Sequence, residues 1–209
     1  FYDWRKQNPD NSVEDFELKF EKFNKAGAIF DIIKLNDVCK EYLATLKAEE
    51  VYQMALDWSK EFDEKIFNLL SKNKEYCIRI FNIERTGEKV RKDLVKLEDV
   101  EEQLTIFFDE LLEKKEVEDI SDKVEVKTQR EIVRIYLESF NFKDPLNEWF
   151  EKVKKVATDL NISKVGDVAM VLRVALTHRT KSPDLYQTIQ VLGDEKIRER
   201  LEKYLARMI

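Results

Sequence analysis

Arg173, His178, Arg179 and Lys181 lie close together in a chain that is otherwise acidic, and Ser182-Pro183, Leu185 and Tyr186 follow at once. These residue types suit recognition of single-stranded RNA. A guanidinium plane stacks on a base or hydrogen-bonds its edge, and loop bases are the ones open to such contacts. Ser182-Pro183 reads as the start of a helix, whose free backbone N–H groups would then face phosphate or base acceptors. Taken by itself, a basic turn is more often plain solvated surface, so the pattern nominates a site without identifying one.

Other chemistry finds little support. His178 is the single histidine; with no Ser, Cys or metal-ligand set around it, it reads as a turn residue. Carboxylates are plentiful, but none is set apart by spacing as an acid/base pair. No phosphate-cradling glycine loop occurs. Cys39 and Cys77 lack metal-ligand spacing and fall in apolar periodic segments, as packed thiols of a reducing compartment do. No catalytic or metal-ligating residue is assigned, and a binding module is favoured over an enzyme.

The net charge of −6 opposes indiscriminate polyanion binding, yet residues 126–209 carry 16 Lys/Arg against 12 Asp/Glu while residues 1–125 carry 21 against 31. An RNA-facing surface is therefore expected toward the C-terminal part. No apolar run approaches the ~20 residues of a membrane span, and no signal peptide opens the chain. A cytoplasmic monomer is expected, with neither DNA nor a membrane as partner. The abrupt start at Phe1, without an initiator methionine, suggests a piece of a longer protein.

The elements that would position the basic turn are helical throughout. Only four glycines and three prolines interrupt 209 residues, which predicts an all-α fold. Ser12 with Asp15 approximates a capping box for a helix through Phe16, Phe20 and Phe23. Ile29, Ile33, Val38, Tyr42 and Leu46 continue at near-helical spacing, with Asp31 and Lys34 able to pair. Residues 48–71 form one long helix or two, and another spans 75–83. Arg85-Thr86-Gly87 marks a turn before a basic patch of Lys89, Arg91 and Lys92. Leu97, Val100, Leu104, Phe107, Phe108 and Leu111 draw one apolar stripe and predict a single helix.

The charged stretch 113–127 is the best candidate for a linker between two helical lobes. Beyond it, helices are expected around Ile132–Phe140, after Asp144-Pro145, and from Ser163 to Leu176, the last apolar on nearly every side. Gly193 closes the helix begun at Ser182-Pro183. On the final helix Ile197, Leu201, Tyr204 and Leu205 face the core, while Lys196, Arg198, Arg200, Lys203 and Arg207 are expected to stay solvated.

Three separated segments resemble the C-terminal region of bacterial-type glutamyl-tRNA synthetases. LRVALTHRTKSPDLYQTIQVLGDEKIRERLEKYL, from Leu172, is similar to that family's Leu-Arg-x-Ala-Leu-Thr-Gly, Ser/Thr-Pro-x-Leu, Leu-Gly-x-Glu and Arg-Leu pattern. LEDVEEQLTIFF, from Leu97, looks like its Leu-Lys-Glu helix with an aromatic pair. Phe30-Asp31, Lys34-Leu35 and Tyr42-Leu43 resemble an earlier Phe-Asp-x-x-Lys-Leu segment. The resemblance implies the end of a stem-contact region over 1–46, a first anticodon-binding lobe over 47–124 and a second over 125–209. The family's His-Ile-Gly-His motif and Lys-Met-Ser-Lys-Ser loop are absent. This stretch should therefore not aminoacylate alone; ATP with magnesium is implied for a catalytic domain elsewhere.

By matched position, the resemblance makes Arg173 a contact to anticodon bases and Ser182, Pro183 and Leu185 the turn beside them. Arg91 and Asp93 fall where the first lobe meets the third anticodon base, and Arg179, Lys181 and Lys89 would hold phosphates. Family members restricted to tRNA-Glu carry Arg at the Asp93 position and relaxed ones often Gln. Asp is neither, so tRNA-Gln stays open as a second partner. His178 stands where glycine is usual and adds a side chain at the implied site, Val171 where Pro is common, and Cys39 in place of Asn. The anticodon region of a class I lysyl-tRNA synthetase and a helical protein-interaction module without RNA binding are the alternatives.

Overall fold

The computed structural model describes residues 2–22, 31–87 and 90–207. Every regular element among them is helical: α1 (Tyr2–Gln7), α2 (Ile32–Thr45), α3 (Ala48–Phe62), α4 (Glu64–Lys72), α5 (Lys74–Phe81), α6 (Val100–Thr105), α7 (Asp109–Leu112), α8 (Val126–Ser139), α9 (Leu146–Asp159), α10 (Val165–Thr177), α11 (Leu185–Leu192) and α12 (Asp194–Arg207), with short 3-10 turns at 13–15, 20–22 and 97–99. The chain divides into two compact units, Phe1–Leu35 and Asn36–Ile209.

In the first unit the Ser12 capping box forms, with Ser12 Oγ accepting from the Glu14 N–H at 3.3 Å and the Asp15 carboxylate from the Ser12 N–H at 3.0 Å. It opens only the turn Val13–Asp15 rather than a helix through Phe16 and Phe20; Phe23 and Ile29 lie outside the described residues. Trp4 meets Phe16 edge-on, ring centroids 5.3 Å apart.

In the second unit α3, α4 and α5 pack on one another, and α8, α9, α10 and α12 form another group; α11 touches both α5 and α12. The helical spacing of the sequence explains both clusters. Val51, Ala55, Ile66, Leu70, Cys77 and Ile80 are buried in the first group and Ile132, Val153, Val168, Leu172 and Ile197 in the second, and all belong to one hydrophobic core. Two buried polar pairs lie within the second group: Trp149 Nε1 donates to the Tyr136 hydroxyl at 2.8 Å, and the Tyr204 hydroxyl donates to Gln129 Oε1 at 2.7 Å.

Several boundaries differ from expectation for visible reasons. Residues 48–71 break at Asp63, whose extended backbone (φ −151°, ψ 91°) lets its carboxylate cap the Ile66 N–H at 3.0 Å. On α2, Ile33, Val38 and Tyr42 are exposed and Leu43 is the buried residue. Asp31 caps this helix by accepting from Ile33 and Lys34 N–H. The stripe from Leu97 to Leu111 is not one helix. Ile106, Phe107 and Phe108 are all buried, which no single helix face allows, and the backbone becomes extended at Phe108 before α7 begins. The charged stretch after Leu112 is tied down rather than loose: Ile120 and Val124 are buried, and the Glu118 N–H donates to the His178 carbonyl at 2.9 Å.

The break at 106–108 is held from the far side of the unit. Arg200 on α12, expected in solvent, is only 7% exposed. Its Nε and Nη2 donate to Asp109 Oδ1 at 3.1 and 2.6 Å, and its Nη1 donates to the carbonyls of Ile106 and Leu176, both at 2.7 Å. Lys196, also expected in solvent, is half-buried; it donates to the Phe107 carbonyl at 3.1 Å and pairs with Asp109 Oδ2 at 3.1 Å. Burial alone would raise the Asp109 carboxyl, but its bonds to Arg200 and then Lys196 outweigh that and hold it below the usual carboxylate range.

Arg200→Ala strands Asp109 and two buried carbonyls and should destabilise the fold by about 2–4 kcal/mol, read from urea unfolding. Because the Asp109 pKa is depressed on folding, its contribution is present above the unfolded value near about 3.9 and fades as pH falls through the folded one. Asp109→Asn should flatten the loss of stability below about pH 4, measured as unfolding midpoint against pH.

Candidate nucleic-acid interface

Where α5 ends, the chain turns through Glu84, with φ at +54°, and Gly87, with φ at +117°; it returns at Arg91, whose N–H donates to the Glu84 carbonyl at 2.9 Å. Arg85 fixes the turn from beneath: its Nη1 donates to the carbonyls of Leu43 and Leu46 and its Nε to that of Phe81. This presents Arg91 and Asp93 on one side of a cleft of about 520 Å³, with Gln103 on α6 beside them. Arg179, Lys181, Ser182 and Pro183 line it from the second helical group, and Asp99, Glu102 and Ile106 also contribute.

The side chains in the cleft are organised by one another. Asp93 takes Arg91 Nε on Oδ2 and Gln103 Nε2, at 3.1 Å, on Oδ1. Arg179 pairs with Glu102, and the Thr180 N–H donates to Glu118 at 2.6 Å. Hydrogen bonding to Thr180, aided by the Arg179 and Lys181 charges, holds the Glu118 carboxyl below its usual value. Lys181 is exposed on the rim. The lining thus mixes three cationic side chains with four carboxylates, Glu84, Asp93, Asp99 and Glu102. Such a surface suits an occupant that carries both donors and acceptors at fixed positions, as a base edge does, better than a row of phosphates.

Arg173 stands behind this lining. Its Nη1 donates to the Ser182 carbonyl at 3.0 Å, Ser182 Oγ at 2.7 Å and the Pro183 carbonyl at 2.8 Å, which clamps the turn that forms one wall. Burial lowers its pKa, opposed by the neighbouring Asp184 and Glu84 charges. Leu185 is 3% exposed and packs into the core. Lys89 lies outside the described residues.

Two features differ from the sequence reading. Helix α11 starts at Leu185 with Asp184 as its cap, not at Ser182. The Gln187 N–H is taken by Asp184 Oδ1 at 2.8 Å and the Asp184 N–H by Glu84 Oε2 at 2.8 Å, so that helix start already holds carboxylates where a free anion site was expected. His178 is not among the cleft-lining residues. It caps α10 in the left-handed conformation, φ +62°, which explains why glycine suits the position. Its buried ring sits between the Lys115 carbonyl, 3.2 Å from Nδ1, and Arg207 Nη1, 3.3 Å from Nε2. The donor on Arg207 requires a lone pair on Nε2, so the ring is neutral with its proton on Nδ1.

A family model described as an anticodon binding domain matches residues 50–205. The chain belongs to that family. Among curated proteins, this anticodon binding domain is 39% identical to a glutamate–tRNA ligase of Acetivibrio thermocellus, covering 98% of this chain and 40% of that protein. To a glutamate–tRNA ligase of Clostridium perfringens it is 36% identical, over 99% of this chain and 40% of that one. It therefore spans about two fifths of the length of these relatives. The fold is shared with a crystal structure of glutamate-tRNA synthetase from Elizabethkingia anophelis, TM-score 0.61 at 21% identity, covering 91% of this chain and 34% of that one. Among the described residues no cluster could hold a metal ion and no helix is long and apolar enough to cross a membrane.

Glu84, Gln103 and Glu102 are cleft residues that the sequence did not single out. The one available signal was the turn at Arg85-Thr86-Gly87, which places Glu84 at a helix end. For His178, the left-handed backbone predicts that His178→Gly is more stable than His178→Ala by about 1 kcal/mol, read from thermal or urea unfolding. Burial, then the Arg207 and Arg200 charges, lowers the His178 pKa on folding. Stability from this site is thus full above the unfolded value near about 6.5 and declines as pH falls through the folded one.

Proposed function

We propose that this chain is the anticodon-reading part of a glutamate–tRNA ligase and that the cleft between Asp93 and Ser182 receives bases of the tRNA-Glu anticodon. The observation that carries the reading is the cleft itself: Asp93 and Ser182, 89 positions apart in a chain of the anticodon binding family, meet there among paired donors and acceptors. In this reading Asp93, oriented by Arg91 and Gln103, accepts from a base edge. Ser182 and Pro183 shape the opposite wall. Arg173 acts through that wall as a positioning residue, Leu185 anchors it from the core, and Lys181, Arg179 and Lys89 meet phosphates.

Glutamate activation with ATP and magnesium is assigned to a part of the enzyme outside this chain. The protein acts in the cytoplasm as a monomer. Asp93 accepts hydrogen bonds where an arginine would donate them, so tRNA-Gln enters the test as a second ligand.

Binding of this chain to tRNA-Glu, tRNA-Gln and an anticodon-substituted tRNA-Glu, at two salt concentrations, tests the reading. The substituted tRNA should bind roughly tenfold or more weakly, as loss of a paired base contact costs about 1–3 kcal/mol. Equal affinity for all three RNAs would refute it. Lys181→Ala should lower affinity for all of them alike and reduce the slope of log K against log salt by about 0.7, the effect of one phosphate contact on a single strand. Arg173→Ala should instead reduce the ratio between matched and substituted tRNA, since it loosens the Ser182-Pro183 wall; an unchanged ratio would remove Arg173 from the site.

A further inference from the structure

Glu84 belongs to the first helical group by sequence, yet its side chain is spent on the second. It is one of three described non-glycine residues with positive φ, a conformation that costs an L residue about 1–2 kcal/mol and persists where surrounding contacts hold it. Three such contacts are visible. The Glu84 N–H donates to Gln187 Oε1 at 3.0 Å, Glu84 Oε2 accepts from the Asp184 N–H at 2.8 Å, and the Glu84 carbonyl accepts from the Arg91 N–H at 2.9 Å. The first two reach residues about a hundred positions away, at the start of α11. The third fixes the start of the segment that carries Asp93.

We propose that Glu84 is a specificity-determining positioning residue: through the Asp184 N–H it sets the register of the Arg91–Asp93 wall against the Ser182-Pro183 wall, so that a base edge meets both at once. The inference rests on the cleft being the base-reading site. Its physical basis is that a charge-assisted bond from carboxylate to backbone N–H is shorter and stronger than a neutral one. A bond to the backbone also transmits position rather than only charge. Arg173 and Glu84 hold the same turn by complementary means, one grasping the carbonyls of Ser182 and Pro183, the other the next N–H along.

The test uses Glu84→Gly and Glu84→Gln in this chain. Glycine relieves the left-handed strain and removes the carboxylate, so Glu84→Gly should stay folded while its discrimination between tRNA-Glu and anticodon-substituted tRNA-Glu drops roughly five- to tenfold. Glutamine keeps an oxygen for the Asp184 N–H and should restore discrimination to within about threefold of the parent. In parallel, amide hydrogen exchange at Asp184 should accelerate at least about tenfold in Glu84→Gly and leave α12 amides unchanged. Unaltered discrimination in Glu84→Gly, or equal weakening for both RNAs, overturns the proposal. Should the parent chain itself fail to discriminate, the base-reading role of the cleft falls; the register role of Glu84 is then decided by exchange alone, and unchanged Asp184 exchange refutes it.

Discussion

The buried guanidinium of Arg200 is the constraint on which the second unit turns. Removing that charge from water costs several kcal/mol, and the cost is offset only if its donors are matched. Here Nε and Nη2 meet one Asp109 oxygen and Nη1 meets two main-chain carbonyls. A planar fork can do this; a lysine ammonium, a point charge with three rotatable donors, could not reach all three groups in a fixed geometry. Because the carbonyls belong to the corner after α6 and to the last turn of α10, the side chain of α12 fixes two other elements relative to each other. Those two elements lead directly into the cleft: Ile106 is in its lining, and Leu176 lies just before the 179–183 turn.

The same logic explains why the 106–108 corner tolerates leaving the helix. A helix that stops leaves carbonyls without intrahelical donors. Arg200 takes the Ile106 carbonyl, and Lys196 with the Tyr76 hydroxyl takes that of Phe107. With those acceptors satisfied, three consecutive apolar side chains are buried in different directions. The joint between the helical groups is therefore built from main-chain acceptors of one and long cationic side chains of the other, a polar seam beside the shared apolar core.

How far the sequence made this visible depends on whether a feature is local. The apolar stretch 165–177 and the glycine stop at Gly193 were legible because burial and backbone freedom leave local marks. The two-helix split at Asp63 is not decided by the sequence, although Asp is a good cap, because helical periodicity runs through it unbroken. The single stripe drawn from Leu97 to Leu111 was misleading for the opposite reason: Phe107 and Phe108 fit helical spacing equally well with a corner between them and α7. Arg200 stands three residues after Ile197 and four before Tyr204, so helical spacing puts it on the buried face, whereas its charge alone points to solvent. Glu84 could not, because its partners Asp184 and Gln187 are set by tertiary packing. His178 illustrates a third case: the family resemblance marks the position as one where glycine is usual, while the backbone reason, the left-handed cap, appears only in the fold.

The carboxylates in the cleft bear on how an acidic chain could read RNA. Non-specific affinity for nucleic acid comes from unpaired cations and grows with their number. Here Arg91 and Arg179 are each paired with a carboxylate, Asp93 and Glu102 respectively, while Lys181 is exposed on the rim. A phosphate placed wrongly in the cleft would face Asp93 or Glu102, whereas a base edge offering amino or imino donors would be accepted there. On the proposed reading, discrimination comes from this repulsion as much as from attraction. The negative first part of the chain limits attraction to arbitrary RNA, and the geometric register between the two walls becomes the quantity that decides which base is held.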